Sequence, residues 1–292
     1  MLVRLRQSIV AALLDTSAPL LEGLVVAGAS RQPSGAAPTG AVASGQGLAT
    51  ADPYPPNVTG MEILEVHLEA SAARINELRS FYAEALGFVD IGGSETSMVV
   101  GASRLTWRVA ASEREPFYHF ALLVPGQRFA AALAWVGQRV DLLELDGDPV
   151  VRFEDWNAQA LYFHDPAGSI VELIAHLDIV GPACGSAPFD ASELLGVSEI
   201  GLVVQDKRHA ATALRAAVGV EVWPAADDLA LDDTHDLSFL GRKAHTLILT
   251  SPGRGWLPTA RPAEVHPVDV VLAGTGAAGR VSLPGAVVVH TG

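Results

Sequence analysis

The sequence predicts an α+β protein built from repeated units of one strand, one helix and three further strands. Two observations carry that reading. Runs that alternate apolar and polar residues, as strands do, are followed by stretches with apolar residues at helical spacing. This order of elements then restarts at intervals of roughly 50 residues, the mark of a repeated supersecondary unit.

The first unit opens at Met61. "MEILEVHLEA" alternates as a strand, "AARINELRSFYAEALGF" has a helical apolar face stopped by Gly87, and "FVDIGG", "TSMVVGA" and "RLTWRVAA" are short strands. The second unit repeats the order: "PFYHFALLVP", the amphipathic "QRFAAALAWVGQR", then strand material in "VDLLELDG", "VVRFEDW", "AQALYFHD" and "SIVELIAH". A weaker third unit runs through "VSEIGLVVQD", "KRHAATALRAAVGV", "EVWPA" and "HDLSFLGRKAHTLILTSP". "HPVDVVLAG" and "GAVVVHTG" are strand remnants of a fourth unit with no helix between them. The expected organisation is an extension over 1–60, two paired units over 61–178, a linker around 179–194 and degenerate third and fourth units over 195–292.

Residues 27–60 are rich in Gly, Ala, Ser, Pro and Thr, a linker composition. Residues 1–23 loosely resemble a signal peptide, with Arg4 and Arg6 ahead of an apolar run that Asp15 and Glu22 interrupt. The extension is expected to stay unpacked; in a second reading the protein starts at Met61. No apolar run reaches the roughly 20 residues that span a bilayer, so no membrane partner is expected, and without a working export signal the location is cytoplasmic. A formal charge of −14 argues against a nucleic-acid partner, because phosphate binding needs clustered Lys and Arg. The single cysteine, Cys184, excludes an intrachain disulfide and a Cys-rich zinc site. Any metal must use His and carboxylates.

The stretch "FHDPAGSIVELIAH", residues 163–176, reads as a turn followed by a buried strand. Glu172 sits in the middle of that strand, and a carboxylate there is costly unless something positive meets it. Aligning the first strands puts His67 of "EVHLEA", His119 of "FYHFAL" and Glu199 of "VSEIGL" in one register. If units one and two pair, the two histidines approach across a cleft, and Glu172 meets a divalent cation held also by His67 and His119. An ion pair between Glu172 and Arg108 or Arg152 is the competing reading. Glu199 reads as a vestigial ligand: Leu247 is taken as the Glu172 equivalent in that unit, so no second metal site is expected.

The βαβββ units, the strand-borne histidines and "DPAGSIVEL" resemble the vicinal oxygen chelate superfamily, which contains glyoxalase I, bleomycin-resistance and fosfomycin-resistance proteins and extradiol dioxygenases. The resemblance covers residues 61–178 well and 195–258 weakly. It implies paired βαβββ modules of the glyoxalase/bleomycin resistance/dioxygenase fold, with His67, His119 and Glu172 as ligands of a divalent metal: Fe, Mn, Zn or Ni. It also implies a small-molecule substrate bound through two adjacent oxygens. Tyr162, Asp165, Pro166, Gly168 and Glu172 match the "YxxDPxGxxxE" ending of the dioxygenases, but "FEDWNAQAL" lacks their upstream His. Thr106 or Trp107 stands where glyoxalase I places a further ligand, and no cation cluster of the fosfomycin-resistance kind accompanies the motifs. Glu172, Tyr162 and His164 are the candidate catalytic residues, His164 as an acid–base group. A metal-free protein that sequesters a ligand, as bleomycin-resistance proteins do, is the alternative. In a third reading, units three and four serve only as a dimerisation or lid module; a homodimer is one expected assembly.

Overall fold

The computed structural model describes residues 60–93, 95–111, 115–181, 187–223, 228–285 and 287–291. The extension up to residue 59 lies outside the described residues, as does Cys184.

The four units form as the pattern dictates. Unit one has strand β1 (Glu62–Ala70), helix α1 (Ala72–Arg79), and strands β2 (Val89–Asp90), β3 (Thr96–Val100) and β4 (Ser103–Val109). Helix α1 widens into a π-helical turn over Ser80–Ala85 and ends at Gly87, whose φ of +77° is the left-handed conformation a helix stop requires. Unit two has β5 (His119–Leu123), α2 (Phe129–Val136), β6 (Leu142–Leu143), β7 (Val151–Phe153), β8 (Ala158–His164) and β9 (Ile170–His176). Unit three has β10 (Gly196–Val203), α3 (Lys207–Val218), β11 (Ser238–Arg242) and β12 (His245–Thr250). Its missing strand survives as a single bridge between Val222 and Leu240. Asp206 caps α3 by accepting from the His209 amide. A small hairpin, β13 (Gly255–Trp256) with β14 (Arg261–Pro262), precedes unit four, which is only β15 (Val268–Ala273), β16 (Arg280–Leu283) and β17 (Val287–Thr291). The architecture is α+β, and among the described residues no helix is long and apolar enough to cross a membrane.

The units do not pair in chain order. The first strand of unit two, β5, runs antiparallel to β10 of unit three, with Ala121 opposite Glu199. The first strand of unit one, β1, runs antiparallel to β15 of unit four, with His67 opposite Asp269. One register pair between β1 and β10, Ile63 opposite Val197, joins the two pairs into one 15-stranded sheet, and Ser103 Oγ reinforces the junction by donating to the Ile63 carbonyl and accepting the Val197 amide. The expected cleft between units one and two is therefore replaced by two clefts, an inner one (units two and three) and an outer one (units one and four). Two such long-range pairings compete in any four-unit chain, and first-strand sequences alike enough to align do not choose between them.

Units one and two still meet through a shared core. Tyr82 stacks on Trp107 at 4.6 Å, and its hydroxyl donates to Asp165 Oδ2 at 3.2 Å. Asp165 Oδ1 accepts the Ser169 amide at 2.9 Å, which closes the Asp-Pro-Ala-Gly turn ahead of β9, with Gly168 at φ +80°. Burial pushes the Asp165 carboxyl up to about 6 against the hydrogen bonds it accepts. A carboxyl so raised contributes stability that is complete below the ordinary Asp range and lost as pH rises through 6. Relative to Asp165→Asn, the wild type is therefore expected to lose up to roughly 3 kcal/mol between pH 4 and 7. Asp165→Ala, which orphans the buried Tyr82 hydroxyl, is expected to cost about 1–3 kcal/mol at any pH. Denaturant titrations across pH read both; a pH-independent difference from Asp165→Asn would refute the first.

Candidate metal centre

The inner cleft gathers three ligand-type side chains. His119 stands on β5, Glu172 on β9 and Glu199 on β10, and one ligand atom from each lies within 4.8 Å of the others. All three are buried. They arrive there through register: β5 and β9 run parallel with Ala121 beside Glu172, and β10 places Glu199 on the other side of Ala121. Alanine leaves the space that the two carboxylates occupy.

The hydrogen-bond pattern fits a cation between them. His119 Nδ1 is 3.1 Å from the Ile170 carbonyl, which can only accept, so Nδ1 carries the proton. Nε2 then turns its lone pair toward Glu172 Oε2 at 3.5 Å. Burial lowers the His119 imidazole to about 4, and Arg254 pushes the same way against the Ile170 hydrogen bond, so the ring is neutral near pH 7. An imidazole proton on a backbone carbonyl with the other nitrogen free is the arrangement metal-binding histidines use. Glu199 Oε1 is buried with no hydrogen-bond partner. Burial pushes Glu199 up to about 8, while Thr246 on the paired strand β12 pulls the other way. Burial and the neighbouring Glu199 charge together drive Glu172 well above the carboxylate range, with Tyr162 opposing. A neutral imidazole and two mutually destabilising carboxylates fit a divalent ion with nitrogen and oxygen ligands.

Tyr162, opposite Glu172 on β8, brings its hydroxyl to that carboxylate and its ring to 6.3 Å from His119. His164 does not join them: it is exposed, with Nδ1 at 3.3 Å from the Ser169 carbonyl. His67 lies in the outer cleft. Its Nε2 is 3.0 Å from Glu65, and its Nδ1 is 3.0 Å from Arg108 Nη2. The register explains why, among the described residues, no such carboxylate group gathers there. Ala121, two residues past His119, pairs with Glu172; Glu69, two residues past His67, pairs with Arg108. A guanidinium thus stands where the inner cleft has a carboxylate. The same count in unit three reaches Ile248 rather than Leu247, because Gly201 pairs with Ile248. Neither Arg108 nor Arg152 pairs with Glu172; they bind Glu95 and Asp148. Glu199 is thus a member of the cluster and not a vestige, and its signal is in the sequence: "VSEIGLVV" shows the same oddity as "SIVELIA", one carboxylate inside an apolar strand.

The mouth of the inner cleft is closed. Trp256 of the β13–β14 hairpin packs on His119 at 4.8 Å, so close to β10 that a Cβ at Gly201 would lie 2.7 Å from its ring. The cavity left beside His119, lined also by Phe117, Tyr118 and His266, holds about 10 Å3, room for one water. An open groove of about 400 Å3 near Phe88, Trp135 and Arg139 contains none of these residues.

No protein-family model matches this chain, and no curated protein is significantly similar to it. Solved structures are. A Bacillus subtilis protein provisionally named a dioxygenase matches with a TM-score of 0.51 and 12% identity over 78% of this chain and 84% of its own. Glyoxalase I from Zea mays matches at a TM-score of 0.44 and 12% identity over 80% and 92%. A glyoxalase/dioxygenase from Nostoc punctiforme matches at 0.31 and 17% over 42% and 94%. The first of these establishes the fold: paired βαβββ modules of the glyoxalase/dioxygenase class.

Removing one of the two facing carboxyls is expected to stabilise the metal-free chain at high pH. Glu199→Gln keeps the shape, so its melting temperature near pH 8.5 should exceed that of wild type. The wild-type penalty is absent below the ordinary carboxylate range and grows as pH rises through about 8, the raised Glu199 value. Thermal melts in chelator from pH 5 to 9 read this, and a variant less stable than wild type at pH 8.5 would refute the electrostatic account.

Proposed function

We propose that the chain is a metal-dependent enzyme of the vicinal oxygen chelate type, with His119, Glu172 and Glu199 holding one divalent ion, Fe, Mn, Zn or Ni. The observation that carries this reading is the orphaned, buried Glu199 oxygen facing Glu172 and the lone pair of His119. A divalent ion there would act as a Lewis acid toward two adjacent oxygens of a small substrate. The chain's own residues supply the rest. Tyr162 orients Glu172 and holds a proton beside it. Trp256 and the apolar lining of Phe117, Ala121, Ile170 and Ile248 exclude water, which strengthens every charge interaction inside. This reading keeps His119 and Glu172 as ligands, places Glu199 where the sequence suggested His67, and gives His164 no part.

Elemental analysis of the full chain after metal loading tests it. About one equivalent per chain is expected. His119→Ala, Glu172→Gln and Glu199→Gln should each weaken retention by about tenfold or more, while His67→Ala should retain the metal as wild type does. Substoichiometric metal in wild type, or retention in all three ligand variants, would remove the proposal.

A further inference from the structure

A centre as buried as this one needs a way in. Ala121, Ile170, Ile174 and Ile248 wall the inner cleft with apolar surface. A divalent ion cannot cross such surface unless polar groups replace the water it sheds. The cavity beside His119 offers such groups. Glu264 and His266 line it together with His119, and neither belongs to the three-ligand group. Both stand on the segment that joins β14 to β15. Glu264 is at the surface, its side chain 62% exposed, whereas His266 is buried. His266 Nε2 lies 3.4 Å from Glu264 Oε2, and its ring meets Phe117 and Tyr118 edge-on. The segment is held at both ends. The Ala263 amide donates to the Arg254 carbonyl at 2.8 Å, and the Tyr118 hydroxyl donates to the Pro267 carbonyl at 2.9 Å. Between these anchors an exposed carboxylate and a buried imidazole lead from solvent to the cavity that His119 shares.

We propose that Glu264 and His266 form the loading path of the metal centre: Glu264 captures a divalent cation at the surface, and His266 passes it inward to His119, Glu172 and Glu199. This rests on the metal reading and adds a transient two-ligand site to it. Carboxylate oxygen and imidazole nitrogen are both ligands of divalent ions. The cavity of about 10 Å3 has room for one water, so the path admits an ion only as it exchanges its waters for these side chains. Groups that act on the path and not at its end lower the barrier in both directions. They set rates and leave the affinity alone.

The test follows zinc into and out of the full chain. Chelator-stripped protein is mixed with zinc chloride, and desalted samples taken at timed intervals are read by elemental analysis. Release is followed the same way in excess chelator. Glu264→Gln and His266→Gln should each slow loading by about tenfold. Release should slow by a similar factor, with the final content still about one equivalent. Glu77→Gln removes one surface carboxylate from α1 and should load as wild type does, which separates local capture from net charge. Wild-type loading rates in Glu264→Gln and His266→Gln overturn the proposal. So does a lowered final content in Glu264→Gln, which would make Glu264 a ligand of the bound ion. Should His266→Gln fail to fold, the exposed Glu264→Gln decides alone. No zinc uptake by wild type overturns the path and counts against the metal reading, whereas uptake at unchanged rates in the variants overturns the path alone.

Discussion

Two carboxylates held face to face in a dry space are the constraint around which the inner half of the molecule is organised. Glu172 and Glu199 reach that space because β5 stands between β9 and β10, with Ala121 between them. An alanine there is a requirement of the arrangement, since any larger side chain would fill the gap. The fixed tautomer of His119, the closeness of the Tyr162 hydroxyl and the aromatic plug of Trp256 all bear on the same few ångströms. Burial raises both carboxyls, so ionising the pair costs the fold that creates it. That tension sets the pair apart from ordinary core packing, where polar groups satisfy one another.

The outer half shows the same frame with the electrostatic problem already solved. His67 sits on β1 as His119 sits on β5, but Arg108 replaces the carboxylate and reaches both His67 and Glu95. Glu65 pairs with His67 and Arg104, and Asp269 with His290. One geometry, repeated twice, therefore gives a cluster of paired charges in one place and two facing carboxyls in the other: where the inner cleft has Ala121 beside Glu172, the outer has Glu69 beside Arg108.

Local patterns foretold the local structure. The restart of strand and helix signals gave the units, Gly87 and the Asp165–Gly168 turn gave element boundaries, and Glu172 announced itself as a charge inside an apolar strand. His119 and Glu172 were legible for that reason. The partner of each unit was not, because four first strands of similar pattern can pair in several ways and the choice is made by contacts distant in sequence. That is why His67, aligned with His119, lies in a different cleft. Glu199 carried the same local signal as Glu172 and was discounted only because its own unit lacks a carboxylate at the end, a reason that fails once that unit shares its cleft with another. The closing hairpin left no pattern to read, since it belongs to no unit.

The order of pairing has a consequence for how the chain comes into being. Units two and three are neighbours along the chain and enclose the centre, whereas units one and four bracket them from outside, the way an outer parenthesis encloses an inner one. During synthesis the inner bracket can close once β12 has emerged, near residue 250. Strand β1, made among the first, must wait for β15 near the end before its free edge is covered. The candidate centre thus belongs to the half that can be completed early, and the half completed last shields β1 from pairing with a stranger.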